Sequence, residues 1–288
     1  MPATMPTPMS TPMSTPMSTP MPTAGLSLYL RDSATMLRRS LRHIVRYPSM
    51  TVILIGMPVI LLLLFVFVFG QTLGAGLGGA STGRAAYANY VAPGILLITV
   101  ASAAQGTAIS VAMDMTAGLI ARFRTMPIAR ASVLTGHALG SFLQTMLSLL
   151  VVVAVAVAVG FRPTAGPAGW LGALGMLALF TLALTWLSVA LGLVAKSPES
   201  ASNLPMFLVL LPFLGSGFVP SDSMPSPLGW FAQNQPFTPV TETVRGLLLG
   251  STSGRTAGIA VAWSLAITIA SYVWAKRLFI RRPVSSAT

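Results

Sequence analysis

From Thr51 onward the chain is a succession of long apolar runs separated by short polar breaks. A helix needs about twenty apolar residues to cross the hydrocarbon of a bilayer. Runs of that kind predict spans at Thr51–Gly70, Val91–Met113, Gly136–Gly160, Trp170–Val194, Leu204–Val219 and Thr256–Ala275. The fifth is short, and Pro205 and Pro212 blur its ends. Six crossings put both termini on one side.

A different pattern precedes the first run. Leu30, Ala34, Leu37, Leu41, Ile44 and Val45 recur at spacings of three and four, which places them on one helical face. Arg31, Arg38, Arg42 and Arg46 fall on an adjoining face, and Pro48 ends the pattern. Such a helix, over residues 26–50, is expected to lie in the membrane surface with its cations among lipid phosphates. Upstream, Met9–Pro20 reads "MSTPMSTPMSTP". A Pro-rich repeat with so little apolar surface is expected to stay disordered. The predicted organisation is therefore a tail over 1–25, an interfacial helix over 26–50, a six-span membrane domain over 51–282 and a short tail over 283–288.

Composition supports the membrane reading. Hydrophobic residues make up 54% of the 288, charged residues only 8%, and mean hydropathy is +0.79; soluble domains carry roughly a quarter of their residues as charges. The net charge of +12 is almost all arginine. In a membrane protein that excess sets orientation and meets anionic lipid, and no aromatic-interleaved basic patch points to nucleic acid. Thirteen of the basic residues fall on one side of the predicted spans: Arg31, Arg38, Arg39, Arg42, Arg46, Arg122, Arg124, Arg130, Lys196, Lys276, Arg277, Arg281 and Arg282. Only Arg84, Arg162, Arg245 and Arg255 fall on the other. The richer side, with both termini, is expected to face the cytoplasm.

The chemistry missing from the sequence narrows the function. With no cysteine there is no disulfide framework and no thiolate metal site or nucleophile. The five acids, Asp32, Asp114, Glu199, Asp222 and Glu242, all fall in loops or at span ends, whereas ion-coupled carriers bury carboxylates near the midplane. His43 and His137 are isolated and read as interface residues, so no metal site is expected. Lys196-Ser197 follows Ala195, where a phosphate-binding loop needs glycine. Energy for uphill transport would have to come from another polypeptide, and no catalytic residue is expected here. These residues alone leave an intramembrane enzyme or a membrane scaffold open.

One feature is not explained by spanning a membrane. Between the second and third runs lie Asp114, Gly118, Arg122, Arg124, Pro127 and Arg130. Topology alone justifies two or three arginines; a basic elbow broken at Met126-Pro127 reads as a docking element. The stretch "GLIARFRTMPIARASVLTGHALG" resembles the cytoplasmic loop after the second span of ABC transporter permeases with the type-2 transmembrane domain. The similarity is closest to the daunorubicin/doxorubicin-resistance exporter subgroup. A second match is "SDSMPSPLGWFAQNQPFTPVTETVRGLLLG", Ser221–Gly250, similar to that family's segment before the last span. Here Asn234 is followed by Gln235 before Pro236, where the family has an Asn-Pro pair.

The resemblance implies an all-α half-transporter: two permease copies, as a homodimer or heterodimer, with two ATP-binding subunits that hold ATP and Mg. It implies that the interfacial helix and the loop at 114–130 grip the ATPase. It also implies a pair of short re-entrant helices on the outer face, containing Pro236, Pro239, Glu242 and Arg245. Glu242 and Arg245, three apart on one helical face, are expected to pair. The expected function is ATP-driven export of a hydrophobic drug, secondary metabolite or lipid across a bacterial plasma membrane, with polysaccharide or lipid-linked glycan export as the alternative.

Overall fold

The computed structural model describes residues 48–76, 83–116, 130–195 and 197–281. The N-terminal tail, the predicted interfacial helix with Arg31, Arg38, Arg42 and Arg46, and Gly118, Arg122, Arg124 and Pro127 lie outside the described residues. So does the C-terminal tail. Every regular element among the described residues is helical. In chain order these are α1 (Pro48–Leu63), a π-helical turn (Leu64–Phe69), α2 (Gly70–Gly76), α3 (Arg84–Thr116), α4 (Arg130–Val159) and α5 (Pro167–Val194). Then follow α6 (Pro198–Asn203), α7 (Met206–Leu210), a 3-10 turn (Ser221–Ser223), α8 (Ser226–Asn234), α9 (Phe237–Leu249) and α10 (Gly254–Arg281).

Five of the predicted spans correspond to helices long and apolar enough to cross a membrane: Leu54–Ala75, Arg84–Met115, Thr135–Val159, Pro167–Val194 and Gly254–Phe279. The bundle is built around α3 and α5, whose most apolar stretches are 72% and 67% buried, against 17–28% for the other three. The outer three leave large apolar side chains such as Ile60, Leu150 and Ile269 exposed, as contact with lipid tails requires. Three buried hydroxyls bond back to their own helices: Thr99 to the carbonyl of Ile95, Thr107 to Ala103, Ser264 to Ala260. Each donor is thereby satisfied without water.

The expected fifth helix is corrected. Residues 204–219 do not form one helix; they contain the five-residue α7 and then a run of turns. Pro205 and Pro212 remove backbone donors at both ends of that helix, which accounts for the break. The segment nevertheless runs antiparallel beside α3. Gln105 donates to the carbonyl of Ser202 at 2.9 Å. Further along, a Cβ added at Gly94 would lie 2.6 Å from the carbonyl oxygen of Gly217. Between those two points α3 rises 11 residues, about 16 Å. The lower end starts cleanly: the Ser197 hydroxyl accepts from Ser200 N at 3.2 Å and caps α6. That hydroxyl, with a backbone N–H, holds the Glu199 carboxyl below its usual range.

The two ends of the bundle collect different residues. At one end Asn89 accepts from the Arg162 amide at 2.7 Å, and the amides of Thr164 and Ala165 donate to the Leu248 carbonyl at 3.0 and 3.1 Å. At the other, Val111, Ala138, Trp186, Val189, Ala190, Leu193, Ala275 and Phe279 form one buried cluster. Arg84, Arg162, Arg245 and Arg255 thus share the first end with their helix termini. The start of α4 at Arg130, and Lys276 and Arg277, lie toward the second. Among the described residues, the cations at the two ends are therefore different ones.

Candidate functional site

The segment before the last helix folds into a helical hairpin. Pro225 and Pro227 start α8, Gln235 and Pro236 turn the chain, and α9 begins at Phe237 with Pro239 in its first turn, where a missing N–H costs nothing. Gly250 ends α9 with φ of 80°, a left-handed residue that suits glycine. Phe237 meets Phe180 edge-to-face at 5.0 Å. Phe180 lies 13 residues beyond Pro167, the first residue of α5, about 20 Å along the helix. The far end of α9 returns to the Thr164–Ala165 amides at the outset of α5. The hairpin's turn therefore sits beside the middle of α5, and α9 runs back out. Most of α9 is buried.

The hairpin and the broken segment hold each other through polar side chains. The Gln235 side-chain amide donates to the Leu211 carbonyl at 2.9 Å, and Ser216 N donates to the Thr238 hydroxyl at 3.3 Å. Arg245 donates to the Ser216 carbonyl at 2.7 Å and to the Tyr90 carbonyl at 3.0 and 3.2 Å. Its guanidinium carbon also lies 3.9 Å from the centroid of the Tyr90 ring, within cation–π range. The Tyr90 hydroxyl donates to the same Ser216 carbonyl at 3.0 Å. An irregular backbone inside a membrane protein must find partners within the protein; these contacts supply them.

The expected Glu242–Arg245 pair does not form. The guanidinium's hydrogen bonds go to backbone carbonyls instead, two to Tyr90 within α3 and one to Ser216 in the run of turns, acceptors that the planar fork can reach together. Glu242 instead lines a cavity of about 330 Å³ together with Tyr90, Ser216, Asp222 and Arg245. Pro236 immediately precedes α9, and Pro239 is buried.

At the opposite end, Asp114 Oδ2 and His137 Nε2 stand 2.8 Å apart, a side-chain contact between α3 and α4. The isolated reading of His137 is thereby corrected. Asp114 lies in the last turn of α3 and His137 in the third turn of α4, so the pair stands at the root of the 117–129 connection; Arg130 is the first residue of α4. Among the described residues no group of three or more His, Cys, Asp or Glu could hold a metal ion.

The elements are matched by known proteins. A family model described as ABC-2 type transporter matches residues 32–249. A daunorubicin resistance ABC transporter permease protein from Streptomyces coeruleorubidus is 29% identical over 219 residues, 75% of each chain. A probable doxorubicin resistance ABC transporter permease protein from Mycobacterium tuberculosis is 25% identical over 157 residues, 54% of this chain and 57% of that protein.

Proposed function

The chain belongs to the ABC-2 type transporter family, and from that premise we propose that it is the membrane-spanning permease of an ATP-driven exporter of hydrophobic drugs, secondary metabolites or lipids. It is a multi-pass permease subunit related to drug-resistance exporters. A separate ATP-binding subunit binds ATP and Mg and hydrolyses the nucleotide; a second permease copy completes the pathway. The observation that carries this reading is the similarity to the daunorubicin resistance permease across three-quarters of both chains. That stretch is long enough to take in the basic loop, the broken segment and the hairpin together. The apolar bundle suits amphipathic molecules that enter from the membrane. Within the 114–130 connection, Arg122 and Arg124 dock on the ATPase through forked contacts to its carboxylates. Both termini are cytoplasmic by the bias of basic residues.

The test is transport in inverted membrane vesicles containing this chain with an ATP-binding subunit from its native host, using daunorubicin fluorescence as the readout. Uptake should require ATP and both proteins and should survive collapse of the proton gradient. Uptake driven by a pH gradient through this chain alone would overturn the reading.

A further inference from the structure

The Asp114–His137 contact stands where a carboxylate is electrostatically out of place. Asp114 occupies the last turn of α3, which ends at Thr116. A helix C-terminus carries partial negative charge, so a carboxylate there is disfavoured and a cation is favoured. The acid is offset by His137, at 2.8 Å, from the neighbouring helix. The two side chains are 28% and 26% exposed, respectively, so solvent screens the pair less than it would a surface pair.

The surroundings of the pair give it mechanical reach. Three residues before Asp114 is Val111, and one after His137 is Ala138; both belong to the buried cluster with Trp186, Leu193, Ala275 and Phe279. That cluster joins α3, α4, α5 and α10 at one end of the bundle. At its edge Trp186 meets the exposed Tyr272 of α10 edge-to-face at 4.9 Å. Gly192 brings α5 close enough to α3 that an added Cβ would lie 2.6 Å from the Ala108 carbonyl oxygen. A displacement entering at the 117–129 connection reaches this packed cluster through the last turn of α3 and the first turns of α4. Asp114 and His137 link those two helix ends directly, side chain to side chain.

We propose that Asp114 and His137 form a clasp that fixes the spacing of α3 and α4, so that a push on the connection moves both helices and the cluster behind them as one unit. This rests on the reading of that connection as the ATPase-coupling loop. His137 is here a positioning residue: it touches neither substrate nor nucleotide, and it acts through α3 and α4.

The experiment uses the full chain in complex with its ATP-binding subunit, reconstituted in liposomes, with daunorubicin transported per ATP hydrolysed as the readout. His137→Ala is expected to accumulate in the membrane and co-purify with the subunit, but to move about tenfold less drug per ATP, a typical coupling free energy. The exchange Asp114→His with His137→Asp keeps the pair and removes the carboxylate from the helix C-terminus; it should restore most of the ratio. The chain has no cysteine, so Asp114→Cys with His137→Cys can also be bridged by a short disulfide-cleavable thiol linker. Bridged protein should couple as the unsubstituted chain does, and linker cleavage should cause the same loss as His137→Ala.

An unchanged drug-to-ATP ratio in His137→Ala overturns the clasp, as does an exchanged pair that assembles without restoring the ratio. If His137→Ala fails to accumulate, the bridged and cleaved forms decide: equal ratios in the two overturn it. Absence of ATP-dependent transport in the unsubstituted complex would instead sink the exporter reading.

Discussion

Arg245 lies against Tyr90 in two ways at once: its guanidinium stacks on the ring at 3.9 Å and donates to that residue's own carbonyl at 3.0 Å. With the further bond to Ser216, one side chain ties the hairpin to α3 and to the broken segment. Lysine at this position keeps the charge but lacks the planar fork. Arg245→Lys should lower stability by about 1.5–3 kcal/mol, the range for hydrogen bonds to charged groups. Tyr90→Phe keeps ring and carbonyl and loses only the hydroxyl bond to Ser216, about 0.5–1.5 kcal/mol. The midpoint of heat-induced aggregation in detergent should therefore fall further for the arginine variant. Equal midpoints would contradict this division of labour.

Gln235 serves the broken segment from the hairpin's turn. It is 5% exposed, and its amide donates to the carbonyl of Leu211. Gln235→Leu has a similar size but leaves that carbonyl without this donor, at a cost of about 1–3 kcal/mol. Gln235→Asn is one methylene shorter and should fall short of the acceptor. Both variants should show a lowered aggregation midpoint and faster protease cleavage between Pro205 and Pro220. Unaltered cleavage in both would mean that the turn does not brace the segment.

The contrast between these contacts and the spans shows what a sequence carries. Five helices were legible because each is a long uninterrupted apolar run, a local property. The segment around Leu204–Val219 was legible as weak, through Pro205 and Pro212, but its path beside α3 depends on Gly94 and Gly217, 123 positions apart. The hairpin was signalled by its prolines and its resemblance. The partner of Arg245 was not: spacing of three favoured Glu242, while the acceptors used belong to backbone 29 and 155 residues away. His137 looked isolated for the same reason. An acid in a final helical turn, which calls for a nearby cation, was the available clue.

Close glycine contacts give a third prediction. A Cβ at Gly94 would sit 2.6 Å from the Gly217 carbonyl oxygen, and one at Gly192 2.6 Å from that of Ala108. The obstacle in each case is backbone, which cannot rotate aside. Gly94→Ala and Gly192→Ala should each cost about 1–3 kcal/mol through overpacking and reduce the amount of folded protein in the membrane. Gly106 and Gly175 meet nothing within 4 Å. Alanine there should be neutral or stabilise by up to about 1 kcal/mol, since glycine is the poorer helix former. Normal accumulation of Gly94→Ala would place α3 and the broken segment further apart than 2.6 Å allows.

The orientation of the bundle can be read with single thiols, because the chain has no cysteine of its own. Gly166 and Ser253 lie at the end that holds Arg162 and Arg255; both are exposed, and Gly166 has open space for a Cβ. Ser200 lies on α6, beyond the far end of α5. The end with fewer basic residues is the one expected outside the cell, because cytoplasmic loops retain Lys and Arg. In intact cells Gly166→Cys and Ser253→Cys should therefore react with an impermeant maleimide, while Ser200→Cys should react only after the membrane is opened. The pairing of Gly166 with Ser253 is fixed independently of charge, since the Thr164 amide bonds to the Leu248 carbonyl at 3.0 Å. Opposite behaviour of those two thiols would thus challenge the fold, whereas joint protection with Ser200→Cys labelled from outside would reverse the orientation and leave the fold intact.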